Sequence, residues 1–167
     1  MKQEKTYNVL VLCTGNSARS ILGEVLFNTL GKGKFRAYSA GSKPAGKVNP
    51  FSLELLQQSG HSIEGLRSKN WDEFAAPGAP DIDFIFTVCD NAAGETCPIW
   101  PGHPATAHWG IPDPAHAEGG DEAKRSAFKK AYEQLARRIQ LFMSLPIDKL
   151  DKLTLKEKLA EIGNIKD

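Results

Sequence analysis

Long hydrophobic runs are missing from this sequence. The apolar run at residues 9–12 is far shorter than the ~20 apolar residues of a membrane-spanning helix, and it is too short for the core of a signal peptide. An excess of charge of one sign is missing too, because the formal net charge is +1. Nothing therefore draws the chain electrostatically toward nucleic acid or a lipid surface. We expect a cytoplasmic protein with no nucleic-acid partner and no membrane partner.

Cysteine is scarce, since the 167 residues contain only three. In the reducing cytoplasm so few cysteines do not indicate a disulfide framework, so each is expected to be a buried apolar residue or a reactive thiol. The length suits one compact domain with a full hydrophobic core. We expect this domain at residues 1–145, with residues 146–167 as a C-terminal helical extension of it. No metal and no cofactor is expected.

Strand-like and helix-like segments alternate along the chain. Short apolar runs predict strands at residues 8–12, 35–40, 83–88 and 105–109. Helical spacing and capping signals predict helices at residues 21–30, between Pro50 and Gly60, at 71–74 as a single turn, at 123–144, and from Thr154 onward with Glu157 completing a capping box. Such alternation indicates a parallel sheet with helices on both faces. In these folds the ligand site lies at the carboxyl ends of the strands.

The strongest motif lies between the first predicted strand and the first predicted helix. It consists of Cys13, Thr14, Gly15, Asn16, Ser17, Ala18, Arg19 and Ser20. A loop that turns into a helix points successive backbone N–H groups at one spot, at the positive end of the helix dipole. Gly15 allows a backbone conformation that is closed to other residues, and Arg19 can hold two oxygens of a tetrahedral anion. The motif therefore predicts an oxyanion site.

The same arrangement favours a thiolate at Cys13. The pKa of a cysteine at a helix N-terminus falls from ~8.5 into a range of roughly 3.5–7.5, and Ser20 can donate a hydrogen bond to the sulfur. A nucleophile beneath a bound oxyanion suits in-line attack. The alternative is a buried structural cysteine at the end of a strand, which would be preferred if Cys13 stood alone.

A second motif follows the fourth predicted strand. Asp113 lies between Pro112 and Pro114, which restrict the backbone on both sides of its carboxyl group. A nucleophile that displaces an oxygen needs an acid to protonate that oxygen, and Asp113 can supply the proton. By itself, Pro-Asp-Pro is more typical of a turn capped by the aspartate. In combination with the Cys13 loop, the acid role is favoured.

Together these two motifs resemble the low-molecular-weight protein tyrosine phosphatase fold family. The resemblance rests on the loop from Cys13 to Ser20 and on Asp113 with the proline after it, and it covers residues 7–145. The family implies an α/β fold with a four-stranded parallel sheet and helices on both faces. It also implies that Cys13 is the nucleophile, Arg19 the oxyanion clamp and Asp113 the general acid.

Two further cysteines extend the resemblance to the thioredoxin-coupled arsenate reductases built on this fold. Cys89 ends the third predicted strand, Cys97 precedes Pro98, and residues 86–98 are especially similar to the proteobacterial branch. The resemblance implies a redox relay of Cys13, Cys89 and Cys97, with arsenate as the substrate and thioredoxin or glutaredoxin as the reductant. Seven residues separate Cys89 from Cys97, which is more than we expect of well-known members, so the relay spacing is not itself matched.

Other functions fit parts of the sequence. A phosphatase acting on phosphotyrosine or small phosphoesters would use the loop and the acid but neither additional cysteine, and Ala115 stands where phosphotyrosine enzymes commonly have an aromatic residue. An inert oxyanion-binding module would not use the nucleophile. Some relatives hold a monovalent cation beside the loop, for which Asn16, Glu24 and Ser39 are candidates. A zinc-binding module is a further alternative, at spacings of no common zinc site. Its ligands would be Cys89, Cys97, His103 and His108.

Overall fold

A computed structural model describes residues 6–88 and 105–165 of the chain. Within these residues, strands and helices alternate as the sequence predicts. The elements are β1 (Tyr7–Leu12), α1 (Arg19–Leu30), β2 (Phe35–Ala40), α2 (Pro50–Gln58), α3 (Asp72–Ala75), β3 (Phe84–Thr87), β4 (Ala105–His108), α4 (Asp121–Met143) and α5 (Lys152–Gly163). Two short 3-10 turns, Pro114–His116 and Ile147–Lys149, precede and follow α4.

The four strands form one parallel sheet in the order β2-β1-β3-β4. Strand β1 therefore lies inside the sheet, and Leu12 at its end is opposite Ala40 of β2 and Thr87 of β3. Because all strands run the same way, their carboxyl ends lie at one edge, as expected of a ligand site in this class. The predicted α/β fold with a four-stranded parallel sheet is confirmed.

The two faces of the sheet carry separate apolar clusters, because successive strand side chains point to opposite faces. Val9 and Val11 belong to the larger cluster, whereas Leu10 and Leu12 belong to the smaller one. The larger cluster also contains buried side chains of α1, α4 and α5, namely Phe27, Phe128, Leu135, Phe142 and Leu159. The smaller one is closed by Trp71 and Phe74, at α3. Helices thus cover both faces of the sheet, and their packing fixes the edge at which the strands end.

Helix starts follow the local chemistry of the chain. The side chain of Asn49 caps α2 by accepting the N–H of Phe51 at 2.9 Å, and Pro50 takes the first helical position as predicted. Helix α4 starts at Asp121, two residues earlier than predicted, directly after Gly120 with a φ of 86°. Among the described helices, none is both long and apolar enough to cross a membrane.

The predicted start of the last helix is wrong. Asp151, not Thr154, is the N-cap of α5, and its Oδ1 accepts the backbone N–H of Thr154 at 2.7 Å. Because this carboxylate already binds the N–H of Thr154, the helix begins at Lys152 and Thr154 lies inside its first turn. The capping box from Thr154 to Glu157 therefore does not form the helix start.

Candidate active site

The loop that follows β1 is the centre of the candidate site. Cys13 is the first residue after the strand, is 6% exposed, and its backbone N–H donates to the carbonyl of Ala40 at 3.2 Å. Arg19 begins α1. The cysteine and the arginine of the motif are thus fixed by a strand end and a helix start, and residues 14–18 span the gap between them.

The carbonyl groups of this loop are tied outward. Thr14, Gly15 and Ser17 each accept a hydrogen bond through the backbone oxygen. The two ends of a trans peptide point in opposite directions, and no cis peptide is found among the described residues. The N–H groups of the same peptide units therefore face away from these donors, toward the inside of the loop, as an anion nest requires. The donors are the backbone N–H groups of Lys43, Ala45 and Asn49 at 3.0, 2.9 and 2.9 Å, with Ser68 and Ser52 adding their hydroxyl groups at 3.1 Å each.

Asn16 holds the turn of the loop. It is fully buried, with a φ of 45°, in the left-handed region that asparagine tolerates better than most residues. Its Nδ2 donates to Ser20 Oγ at 2.8 Å, and its Oδ1 accepts the backbone N–H of Lys69 at 2.9 Å. The prediction that Gly15 supplies the unusual conformation is wrong, because the positive φ is at Asn16. Since Ser20 Oγ accepts this bond, its own hydrogen is left to donate elsewhere.

Gly41, which the sequence analysis missed, lets the end of β2 approach the loop. A Cβ atom at this position would overlap the carbonyl oxygens of Cys13 and Thr14, the former at 2.5 Å. The N–H of Gly41 donates to the carbonyl of Lys69 at 2.9 Å. A larger residue at Gly41 would push the loop away from the sheet edge. The only sequence signal was a glycine placed directly after a predicted strand.

Arg19 and Asp113 lie together, as the two motifs predicted from distant parts of the chain. Arg19 Nη2 lies 3.4 Å from Asp113 Oδ2, with side-chain exposures of 13% and 29%, and Nη1 donates to the carbonyl of Ile111 at 2.7 Å. The Nε atom of Arg19 is buried and has no hydrogen-bond partner among the described residues. A donor of the guanidinium is thus available for an oxyanion.

The structure shows Asp113 as the cap of a turn, and its role as the general acid stays a prediction. Asp113 caps the 3-10 turn Pro114–His116 by accepting the N–H of Ala115 through Oδ1 at 3.0 Å. Its other oxygen, Oδ2, is the one that lies near Arg19. The cap fixes the orientation of the carboxyl group and leaves the second oxygen beside Arg19.

A buried charge pair lies behind the loop. Lys69 is 8% exposed, its Nζ lies 3.6 Å from Glu24 Oε1, and the same oxygen accepts from Ser39 Oγ at 2.7 Å. Burial lowers the pKa of the Lys69 ammonium, and the nearby Glu24 carboxylate opposes this only in part. Glu24 and Ser39, considered above for a cation, thus bind each other beside an ammonium. Lys69 itself gave no sequence signal.

Three of the predicted residues, Cys89, Cys97 and His103, lie outside the described residues, so the relay stays a prediction. Val88, the last described residue before them, donates its N–H to the carbonyl of Leu12 at 2.9 Å. His108 is on β4, where Nδ1 lies 2.8 Å from Thr87 Oγ1. Within residues 6–88 and 105–165, no group of three His, Cys, Asp or Glu side chains is arranged to hold a metal.

Comparison with known proteins gives a consistent result. Residues 8–158 match the family model described as low molecular weight phosphotyrosine protein phosphatase. An arsenate reductase of Halalkalibacterium halodurans is 34% identical over 134 residues, which is 80% of this chain and 93% of that protein.

Solved structures show the same fold. A thioredoxin-dependent arsenate reductase of Corynebacterium glutamicum has a TM-score of 0.61 at 25% identity, and the match covers 86% of this chain and 64% of that one. A low molecular weight protein tyrosine phosphatase from T. tengcongensis has a TM-score of 0.66 at 24% identity, covering 84% of this chain and 100% of that one. At 24% identity, the similarity to this phosphatase shows a shared fold and nothing about activity.

Proposed function

Since this chain belongs to the low molecular weight phosphotyrosine protein phosphatase family, we propose that its Cys13 loop is a catalytic oxyanion site. The chain is an arsenate reductase. The observation that carries this function is the 34% identity to an arsenate reductase over 80% of the chain. The loop and Asp113 both lie within residues 8–158, which match the family model. From the sequence alone, we also propose that the protein acts in the cytoplasm, serves arsenic detoxification and belongs to the proteobacterial branch of these reductases.

Arsenate binds at the inward-facing N–H groups of Gly15, Asn16 and Ala18. Arg19 contributes its Nε, which lacks a partner among the described residues, and a charge that the anion neutralises. Phosphate has nearly the same shape and charge, so this site accepts both anions. Selectivity follows from the chemistry after binding, because thiols reduce arsenic(V) but not phosphorus(V).

The first chemical step uses Cys13 and Asp113. The Cys13 thiolate attacks arsenic and forms a sulfur–arsenic bond, while an oxygen departs from the opposite side. Asp113 gives this oxygen a proton, so that it leaves as water and not as hydroxide. Ser20, whose oxygen already accepts from Asn16, donates its hydrogen to the sulfur and orients it.

The second step is the thiol relay, which rests on the sequence and on a thioredoxin-dependent relative. Cys89 attacks the Cys13 sulfur, the sulfur–arsenic electron pair stays on arsenic, and arsenite leaves. Cys97 then attacks Cys89 and frees Cys13 as a thiolate, which leaves a Cys89–Cys97 disulfide. Thioredoxin, or else glutaredoxin, supplies the two electrons that reduce this disulfide.

A phosphatase is the second candidate function. The arrangement of Cys13, Arg19 and Asp113 supports it, because hydrolysis of a phosphoester needs the nucleophile, the clamp and the acid but no relay. The same fold occurs in a phosphatase. The two activities are separated by what happens to the cysteines during one turnover.

Peptide mapping of the non-reduced protein after a single arsenate turnover tests the relay. We expect a Cys89–Cys97 disulfide with Cys13 reduced, and a trapped Cys13–Cys89 disulfide in Cys97→Ser. Cys89→Ser should release no arsenite by the relay. It should still hydrolyse an aryl phosphate, because that reaction needs only the Cys13 thiolate and water. Three reduced cysteines, no arsenite and full phosphatase activity would establish the phosphatase instead.

A further inference from the structure

Trp109 is a buried residue that the reaction steps above do not use. It follows β4 directly, is fully buried, and its backbone N–H donates to the carbonyl of Thr87 at 2.7 Å. Its indole Nε1 donates to the carbonyl of Leu159 in α5 at 3.0 Å. A buried indole N–H needs such an acceptor, because leaving it without one costs roughly 1–3 kcal/mol. The helix therefore fixes the rotation of the indole as well as its position.

Helix α5 lies directly against the end of β4. A Cβ atom at Gly163 would come within 2.6 Å of the carbonyl oxygen of His108 and within 2.8 Å of Trp109 Cδ1. Beyond the helix, the buried Arg138 of α4 donates through Nη2 to the carbonyl of Ile165 at 3.1 Å. The helix is thus seated on Trp109 and held at its far end. The match to the phosphatase family model ends at residue 158. The acceptor of the indole N–H, Leu159, therefore lies just beyond the part of the chain that this model covers.

A short backbone segment leads from Trp109 to the site, and hydrogen bonds to neighbouring elements fix it. Two residues on, Ile111 donates its N–H to the carbonyl of Val88 at 3.1 Å and accepts Arg19 Nη1 at 2.7 Å through its own carbonyl. Two residues further, Asp113 lies 3.4 Å from Arg19 Nη2. Pro112 separates them, so the backbone between Ile111 and Asp113 has little freedom to absorb a shift.

We propose that Trp109, held by the carbonyl of Leu159, is a positioning residue for the general acid. The inference rests on the proposed function, because it assigns Asp113 the proton transfer. Helix α5 fixes the indole, the indole fixes the segment that carries Ile111 and Asp113, and this segment sets the acid against the departing oxygen. Displacement of a reacting group by about 1 Å can lower a rate by roughly 100-fold, so a small rotation of Trp109 affects proton transfer.

The test uses Trp109→Phe, which keeps a buried aromatic ring and removes the N–H. Hydrolysis rates are measured for a series of aryl phosphates whose leaving groups differ in pKa, because this reaction needs no relay cysteine. A misplaced acid leaves more negative charge on the departing oxygen, so poor leaving groups should slow more than good ones. We expect a loss of roughly 10-fold for the poorest leaving group, short of the ~10²–10⁴-fold contribution of a general acid. In an Asp113→Asn background, Trp109→Phe should add no further loss.

Two further measurements distinguish a positioning role of Trp109 from a purely structural one. Hydrogen exchange at the amide of Ile111 reports the position of the segment without any turnover, and it should accelerate in Trp109→Phe. Leu159→Ala should act in the same direction, whereas Leu153→Ala on the same helix should not, because Leu153 is 68% exposed. A lower melting temperature with unchanged leaving-group dependence and unchanged exchange at Ile111 would reduce Trp109 to a structural residue. If the wild type hydrolyses aryl phosphates but produces no arsenite, the relay is wrong, and the leaving-group series of Trp109→Phe still decides this inference.

Discussion

Arg19 carries three groups of donors that face different surroundings. Nη1 donates to the carbonyl of Ile111, Nη2 lies near Asp113, and Nε is buried with no partner among the described residues. A buried donor without an acceptor costs roughly 1–3 kcal/mol. An oxyanion that accepts from Nε removes this cost on binding. This arrangement supports the proposed role of Arg19 in binding an anion.

We expect Arg19→Lys to weaken the binding of inorganic phosphate by roughly 10–100-fold, which corresponds to about 1.5–3 kcal/mol for a hydrogen bond to a charged group. An ammonium keeps the charge but cannot make the planar two-point contact. Calorimetry on the resting protein measures this affinity without any turnover. Arg67→Lys is the control, because Arg67 pairs with Glu73 at the surface with 60% of its side chain exposed. Equal phosphate affinities of the two variants would contradict the role of Arg19.

Asn16→Gly and Asn16→Ala separate the side-chain bonds of Asn16 from its backbone conformation. Both variants lose the buried bonds to Ser20 and Lys69, so both should lower the free energy of unfolding. Only alanine adds the strain of a φ of 45°. This strain, about 1–2 kcal/mol, exceeds the extra chain entropy of glycine, about 0.5–1 kcal/mol. In urea unfolding, Asn16→Gly should therefore have a higher free energy of unfolding than Asn16→Ala. The reverse order would show that the loop relaxes to another conformation.

Lys69 makes the stability of the protein depend on alkaline pH. Burial lowers the pKa of its ammonium in the folded chain, so between this value and the ordinary one the unfolded chain binds more protons. Folding stability contributed by this group therefore rises with pH in that window, by at most about 1.4 kcal/mol per pH unit. Compared with Lys69→Met in urea unfolding, the wild type should gain stability as the pH rises toward the ordinary lysine pKa of about 10.4. A difference in stability between the wild type and Lys69→Met that stays constant with pH, or that changes in favour of the variant as pH rises, would contradict the lowered pKa of Lys69.

At the scale of elements, the start of α5 depends on one exposed carboxylate. Hydrogen bonds from Thr154 lower the pKa of Asp151, so the cap stabilises the fold above the ordinary carboxylate pKa and is lost as pH falls through the lowered one. Asp151→Ala should reduce the urea midpoint at about pH 7 and differ less from the wild type at about pH 3. Glu157→Ala, the residue of the rejected capping box, should match the wild type at both. A larger loss in Glu157→Ala than in Asp151→Ala would restore the capping box.

Elements whose signals are local were predictable from the sequence. Strand β2 occupies the predicted residues 35–40, and the Asn49 cap with Pro50 begins α2 as expected. The two local errors have a common cause. The left-handed turn was assigned to Gly15 and the last cap to Thr154, but neighbouring residues of another type, Asn16 and Asp151, meet those requirements. Several residue types can adopt a left-handed turn or cap a helix, so the local sequence pattern limits the candidate residues for each role but does not identify one.

At the scale of the whole molecule, the site is built where the strands end. Each strand is followed directly by a residue described above, in the order Cys13, Gly41, Val88 and Trp109. Topology could therefore predict that the loop before α1 and the segment after β4, with Arg19 and Asp113, meet at one edge of the sheet. It could not predict the bonds from Arg19 to Ile111, 92 positions apart, or from Trp109 to Leu159, 50 positions apart. These depend on side-chain packing between elements, which leaves no periodic pattern in the sequence.

The interior position of β1 has a consequence for synthesis on the ribosome. This strand emerges before the others, yet its two neighbours in the sheet are β2 and β3, and the second of these pairs Leu12 with Thr87. A nascent chain that ends before β3 leaves one edge of β1 open, a state prone to aggregation. The same nascent chain lacks Ile111 and Asp113, the described partners of Arg19. The Cys13 loop therefore acquires these partners of Arg19 only after most of the protein has been made.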